Sequence, residues 1–240
     1  MSNRRREAVI RCEWGEEGLR ALLPGSDAVV IVDVLSFSTC VDVATSRGAS
    51  VRPATWASEE AGALARSLGA LLAGPRAAGG YSLSPASLLS LPAGVELVLA
   101  SPNGAALSLA TGGVPAYAAC LRNAAAVAAA VRARGGPRCS IIAAGERWPG
   151  GALRPALEDW LGAGAVIAHL SGRCSPEAES ARASFLAARD RLPELLLGST
   201  SGAELAARGY AGDVEIAAAF GASSTVPSLV EGAYRDLRRV

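Results

Sequence analysis

The chain has 240 residues, half of them apolar and only 5% aromatic, with 23 basic against 22 acidic side chains for a net charge of +1. That balance excludes a nucleic-acid or anionic-membrane surface, which needs a basic excess, while the length is ample for a sizeable core. Apart from the single His169 every basic side chain is Arg; without Lys, a Schiff base or a P-loop lysine is excluded too.

In chain order, Ala8 to Trp14 predicts a short strand and Glu16 to Leu23 a short helix stopped by Pro24-Gly25. Ala28 to Val34 predicts a buried strand whose continuous apolar run from Val29 to Val32 ends in Asp33, with Ser36, Ser38 and Thr39 close behind. Phe37 to Arg47 predicts a helix closed by Gly48, and Ser50 to Ala54 a strand. Ser58 is a suitable N-cap for a helix over Glu59 to Leu68, whose first-turn acids suit the helix dipole. Ala70 to Ala73 reads as a short strand.

Gly74 to Pro85 is rich in Gly, Ser and Pro and predicts a long loop, a kind of segment that is often functional in compact domains. Val95 to Ala100 predicts a strand leading into Ser101-Pro102-Asn103-Gly104 and a helix over Ala105 to Ala110. A strand over Val114 to Ala119, a helix over Asn123 to Arg134 capped by Asn123, and a strand over Arg138 to Ala143 follow. After an irregular stretch from Gly145 to Gly151, a long helix is expected over Leu153 to Leu170, with Pro155 in its first turn. Pro176 to Arg191 and Ala203 to Arg208 read as helices, Asp213 to Phe220 is ambiguous, and the last third shows few strand signals.

Alternating strands and helices imply an α/β fold: a mostly parallel or mixed sheet, helices on both faces, and a helical C-terminal part. With no repeat and no linker-like break, residues 1–240 are expected to form a single domain. The five cysteines are too far apart for a metal site or a disulfide framework and read as reduced core thiols. The Arg-rich start lacks the apolar stretch of a secretory signal, and no apolar run spans a membrane, so a soluble cytoplasmic protein is expected.

Polar clusters follow predicted strands: Asp33 with Ser36, Ser38 and Thr39; Ser101, Asn103 and Gly104; Glu146 and Arg147; and Glu158-Asp159 in the next helix. Strand carboxyl ends of a parallel sheet share one edge, where ligands bind. The chemistry suits a small anionic phosphate ester and a hard cation. Asp33 and Asp159 are the expected ligands of Mg²⁺, which prefers oxygen donors. Asp33, Asp159 and Glu158 are the expected catalytic groups. Backbone N–H groups at the helix starts after Leu35 and Pro102, with Ser36, Ser38, Thr39, Ser101, Asn103 and Gly104, are expected to bind phosphate oxygens. Arg147 or Arg76 would supply a bidentate grip. Taken singly, each cluster also has a plain reading: a cap, a turn, or a solvated helix face for Glu158-Asp159. His169 lies in an apolar segment and reads as structural, and neither a G-x-S-x-G elbow nor a P-loop is present. Gly162-Ala163-Gly164 reads as a close-packing stretch, and Cys40 as a packed thiol.

Val32-Asp33-Val34-Leu35 followed by Ser38-Thr39 resembles the D-V-L-R-A-[ST]-[ST] signature of the 2-phosphosulfolactate phosphatase family. Ser101-Pro102-Asn103-Gly104 resembles its T-T-N-G-T turn, and Ala143-Ala144-Gly145 with Ala156-Leu157-Glu158-Asp159 and Ala163-Gly164 its A-G and L-E-D-x-x-x-A-G block. Gly212-Asp213-Val214-Glu215 and Val226-Pro227 resemble its late D-V-E and V-P motifs, so the set runs in order over about residues 10 to 235. The chain departs from the pattern at Ser36 in place of Arg, at Phe37, at Pro102, and in the loop from Gly79 to Pro85.

The resemblance implies an α/β, Mg²⁺-dependent phosphatase that releases sulfolactate from 2-phosphosulfolactate, a step toward coenzyme M. It transfers importance to Asp33, Ser38, Thr39, Asn103, Gly104, Glu158, Asp159, Asp213 and Glu215. Within that set Asp33 and Asp159 are expected to hold Mg²⁺ or activate water, with an aspartyl-phosphate on Asp33 as the other route. The alternative function is a non-catalytic metabolite-binding or structural homologue. A homodimer is the base-rate expectation.

Overall fold

A computed structural model describes residues 9–55 and 58–239. The elements are β1 (Val9–Trp14), α1 (Gly15–Leu22), β2 (Ala28–Val32), α2 (Phe37–Ser46), β3 (Ser50–Ala54), α3 (Ser58–Leu68), β4 (Leu71–Leu72), β5 (Glu96–Ala100), α4 (Gly104–Leu109), β6 (Ala116–Ala119), α5 (Ala124–Arg134), β7 (Arg138–Ala143), β8 (Glu146–Arg147), β9 (Leu153–Arg154), α6 (Leu157–Ala168), β10 (Arg173–Cys174), α7 (Pro176–Ala188), α8 (Leu192–Gly198), α9 (Thr200–Ala207), α10 (Ala211–Ala218), β11 (Pro227–Val230) and β12 (Ala233–Asp236). The expected α/β class holds: a mixed sheet with helices, and an unbroken helical run from α7 to α10. Ala8, the N-terminal arginines and the Ser58 side chain, an expected cap, lie outside the described residues.

Ten strands form one sheet in the order β10-β1-β7-β2-β6-β11-β12-β3-β5-β4. The first five are mutually parallel, and so are β3, β5 and β4. Between the two blocks sits the antiparallel hairpin β11–β12, antiparallel also to β6 and to β3. Following the directions across it, β5 runs opposite to β2. The expectation of one shared carboxyl edge is therefore too simple. The segments that follow β2 and β5 nevertheless meet, at the hydrogen bond from Gly104 N–H to Asp33 Oδ2.

The hairpin itself was invisible to sequence reading. Pro227, Ser228, Arg235 and Asp236 give no apolar alternation, and Pro is uncommon inside a central strand. Tertiary burial makes it a strand: Ala233 and Tyr234 are fully buried, and the Tyr234 hydroxyl shares a 2.7 Å hydrogen bond with Ser108 Oγ. A second correction concerns the long helix expected from Leu153. Trp148 N–H donates to Ala152 O at 2.9 Å and β8 pairs with β9, so Leu153–Arg154 are strand, Pro155 precedes the helix, and α6 starts only at Leu157. Asn123 occupies the N-cap position of α5, but its side chain instead accepts from Cys120 N–H and donates to Ala118 O, binding the helix start to the end of β6. The ambiguous Asp213 to Phe220 stretch is largely helix, as α10.

Phe37 to Thr45 of α2 are all buried, and the helix packs against β3, β6, β12 and α4 at the centre of the molecule. Its buried Asp42 is satisfied from three directions, by Arg122 Nε at 2.8 Å, Ser223 Oγ at 2.6 Å and the Thr225 hydroxyl. Cys12, Cys40, Cys120 and Cys139 are buried free thiols, and burial pushes Cys12, Cys120 and Cys139 up to about 12. Among the described residues no helix is long and apolar enough to cross a membrane.

The glycines of α6 seat it against its neighbours. A Cβ on Gly162 would lie 2.7 Å from Val34 Cγ2, and one on Gly164 only 2.1 Å from the Ala181 carbonyl oxygen of α7. Backbone cannot swing aside as a side chain can. Gly164→Ala is therefore expected to destabilise by about 1–3 kcal/mol, read as a lower urea midpoint at unchanged slope. A midpoint equal to the parent's would mean that α6 and α7 are not in this contact.

Candidate active site

β2 runs Ala28 to Val32 without solvent exposure and delivers Asp33 at its carboxyl end. The turn into α2 is locked internally. Ser38 N–H donates to Asp33 O at 2.7 Å, Asp33 N–H donates to Ser38 Oγ, Ser38 Oγ donates to Ile31 O, and Thr39 Oγ1 donates to Val34 O. Ser38 and Thr39 were expected to bind substrate. Instead both are fully buried, their hydroxyls are spent on the backbone of this turn, and neither lines the cavity above it.

Asp33 is held by backbone donors. Phe37 N–H donates to Oδ1 at 3.1 Å, Gly104 N–H donates to Oδ2 at 2.8 Å, and Ser101 Oγ lies 3.5 Å from Oδ2. The Gly104 contact requires a glycine, because a Cβ there would lie 2.7 Å from Asp33 Oδ2 and 2.4 Å from the Phe37 ring. The expected convergence of the first two clusters is thus a direct hydrogen bond. Asn103 joins them to the third, its Nδ2 donating to Glu146 Oε2 at 2.9 Å.

The fourth cluster lies in the first turn of α6 and is buried, not solvated: Glu158 is 2% and Asp159 3% exposed. Asp159 ties two strand ends together, accepting Val34 N–H at 2.7 Å on Oδ1 and Gly145 N–H at 2.8 Å on Oδ2. Both its oxygens are thereby committed, and it does not line the cavity. Glu158 contrasts with it: its Oε2 is buried without a hydrogen-bond partner.

A cavity of about 540 Å³ opens over this floor, lined by Asp33, Ser36, Ser101, Asn103 and Glu146 together with Arg76, Arg147, Arg154 and Arg208. Arg76 comes from the loop after β4, and its Nη2 donates to Ser36 Oγ at 2.9 Å. Arg154 is anchored by a two-pronged ion pair to Glu204, at 3.0 and 3.2 Å. Arg147 is half-exposed, 4.0 Å from Glu16. Most expected residues therefore gather at one site, while Ser38, Thr39 and Asp159 form its foundation. His169 is exposed at the C-terminal end of α6 and stacks on Phe220.

The family described as 2-phosphosulpholactate phosphatase matches residues 19–232, nearly the whole chain and all the clusters just described. The chain belongs to that family. Its members are phosphatases, hydrolases of phosphoric monoesters. No curated protein matches the chain significantly.

Within this phosphatase scaffold, sequence reading left some groups unassigned. Glu146 was visible in a cluster but carried no role. Arg208 and Ser201, contributed by α9 and the residue after it, gave no local signal, because only helix packing brings them to the cavity.

Burial raises the proton affinity of the floor. Desolvation, opposed by the N–H donors from Phe37 and Gly104 and reinforced by the charge of Glu158, pushes Asp33 up to about 6. Desolvation and the nearby Asp33 charge push Glu146 up to about 7. Asp159 is raised as well, by burial and by the charges of Asp33 and Glu158. The folded chain thus holds protons that the unfolded chain has already released, so these groups make stability fall as pH rises from about 4 through about 7. Metal-free protein should show a lower urea midpoint at pH 8 than at pH 5. Glu146→Gln should flatten that slope, and an unchanged slope in the variant would refute the raised affinity of Glu146.

Proposed function

We propose that the chain is a Mg²⁺-dependent phosphatase acting on a small acidic phosphate monoester, 2-phosphosulfolactate or a related 2-phospho acid, and releasing the hydroxy acid and phosphate. One observation carries this reading. Asp33, at the end of a buried strand, shares its cavity with four arginines, and Glu158, whose charge acts on Asp33, has a buried oxygen with no partner. Family membership supports the reaction class. Four free thiols sealed in the core suit a reducing cytoplasm.

The residues fit a magnesium ion. The charges of Asp33 and Glu158 act on both Glu146 and Asp159, and that of Glu158 acts on Asp33. Such a group of carboxylates favours either protons or a divalent cation. Among the described residues no three His, Cys, Asp or Glu side chains form a ready cage. Mg²⁺ would therefore take one or two carboxylates here and complete its shell with water and phosphate oxygens. In this reading Asp33 and Glu158 would hold the ion, rather than Asp33 and Asp159, since Asp33 lines the cavity and Glu158 Oε2 has no hydrogen-bond partner, whereas Asp159 neither lines the cavity nor has an unpartnered oxygen. When bound, it would polarise a phosphoryl oxygen and lower the barrier to attack by water.

The protein's own groups complete the site. Gly104 N–H and Phe37 N–H orient the Asp33 carboxylate. Glu146, pushed up to about 7, exchanges its proton near neutrality and in its protonated form can deliver it from its carboxyl to the departing alkoxide oxygen. Ser101, Asn103 and the arginines bind the anionic ends of the ester. The alternative of a non-catalytic relative draws on Ser36 standing where the family signature has Arg, but Arg76 already brings a guanidinium onto Ser36 Oγ.

Purified protein with Mg²⁺ should release phosphate from at least one ester in a panel of small phospho acids, and chelation should stop it. Asp33→Asn should lower kcat by on the order of 10²–10⁴ with a folded far-UV spectrum. Release from no ester, with or without metal, would remove the catalytic reading. Full activity in Asp33→Asn would leave Asp33 a mere cap.

A further inference from the structure

Arg76 is carried by a loop, yet its direction is set by a carboxylate on a different element. Asp213 stands in the first turn of α10 with its side chain 1% exposed. Its Oδ1 fastens the loop region, accepting from Ser84 Oγ at 2.6 Å and from Ala86 N–H at 3.2 Å. Its Oδ2 faces Arg76 Nε at 3.4 Å, and both of these buried atoms are without a hydrogen bond. The guanidinium lies over the Tyr210 ring, 5.3 Å from the centroid, and Nη2 reaches Ser36 at the cavity.

A guanidinium is planar, with five N–H donors in a fixed fork. Holding the Nε edge toward Asp213 and one face on Tyr210 leaves the Nη edge a single direction, toward Ser36 and the cavity. A purely structural ion pair would explain the burial, but not the division of labour on the carboxylate. The loop is already fastened by Oδ1, and a buried pair that stabilises needs closed hydrogen-bond geometry, which this one lacks. Asp213 also counters the cost of keeping a guanidinium only 18% exposed.

We propose that Asp213 is a positioning residue for Arg76, aiming its Nη edge at an oxyanion of the bound phosphate ester. The proposal rests on the phosphatase reading of the site and adds to it a group outside the cavity. Arg76 makes the contact with the anion; Asp213 acts only through Arg76.

The test is Asp213→Asn, whose amide oxygen can still accept from Ser84 and Ala86 while the charge opposite Arg76 is lost. With an ester that the parent hydrolyses, KM should rise about tenfold and kcat should change by less than about twofold. Calorimetric affinity of the Mg²⁺-loaded protein for inorganic phosphate should weaken by a similar factor, measured at a temperature where the far-UV spectrum shows the variant folded. In an Arg76→Gln background, Asp213→Asn should add nothing further, since the two act as one unit. Ser84→Ala, which removes a loop bond but spares the ion pair, should leave KM near the parent's.

Unchanged KM and phosphate affinity in Asp213→Asn would overturn the proposal, and so would a full additional effect without Arg76, or a rise in KM equally large in Ser84→Ala. If the parent hydrolyses no ester, the phosphatase reading fails by itself. The phosphate titration then decides this proposal separately: weaker binding in Asp213→Asn supports it, and equal binding or none in the parent overturns it. Should Asp213→Asn fail to fold, Arg76→Lys takes its place. That variant keeps the charge and loses the fork, so it should weaken phosphate binding, and parent-like binding overturns the proposal.

Discussion

A carboxylate taken out of water must be given donors, and here the donors are backbone N–H groups at the ends of strands. Asp33 takes two of them, from the start of α2 and the start of α4, and Asp159 takes two more, from Val34 and Gly145. These four bonds stitch together segments that follow β2, β5 and β7. Two of those strands run in opposite directions, so nothing in the sheet's own ladder holds their ends to one another. The buried acids do so, and the same bonds shape the floor of the cavity.

That arrangement divides the acids by what surrounds them. Asp159 has both oxygens matched and acts as a buckle between strand ends. Glu158, one residue earlier and just as buried, has an oxygen without a partner. Asp33 is held by donors yet lines the cavity, and Glu146 is only half-buried beside Asn103. Concentrating like charges in a low-dielectric floor is unfavourable for folding at neutral pH and useful for holding a cation or a proton. The cationic side of the cavity is built differently. Its arginines come from a loop, a β-hairpin and the end of α9, each steadied by a partner suited to its own element. Arg154 has Glu204, Arg208 bonds back to the Glu204 carbonyl, and Arg76 has Asp213 and Tyr210. Asp33 and Asp159 are thus fixed by backbone donors, whereas Arg154 and Arg76 are held against carboxylates.

The sequence by itself determined the strand–helix alternation, the buried run ending on Asp33, and the glycines of α6. Each of these is a local pattern in which neighbouring residues state their own environment. It also brought forward the ordered motifs by which the family is recognised, and with them Asp33, Asn103, Gly104 and Glu158. What it could not decide were features created by contact between distant segments. Ser38 and Thr39 look like substrate donors in sequence, but their hydroxyls are nearer to the strand they follow than to the cavity. Glu158 and Asp159 fit either a site pair or a solvated helix face in sequence, and only the packing of α6 buries them and gives the two neighbours opposite situations. The β11–β12 hairpin has no alternation to read, because its burial is supplied by β6 and β3 on either side. The guanidinium at Ser36 comes from forty residues away, along a loop whose course depends on Asp213 in α10. Local propensity is written in neighbouring residues; the direction of a long side chain, and the sharing of one carboxylate between two partners, exist only once the chain has folded back on itself.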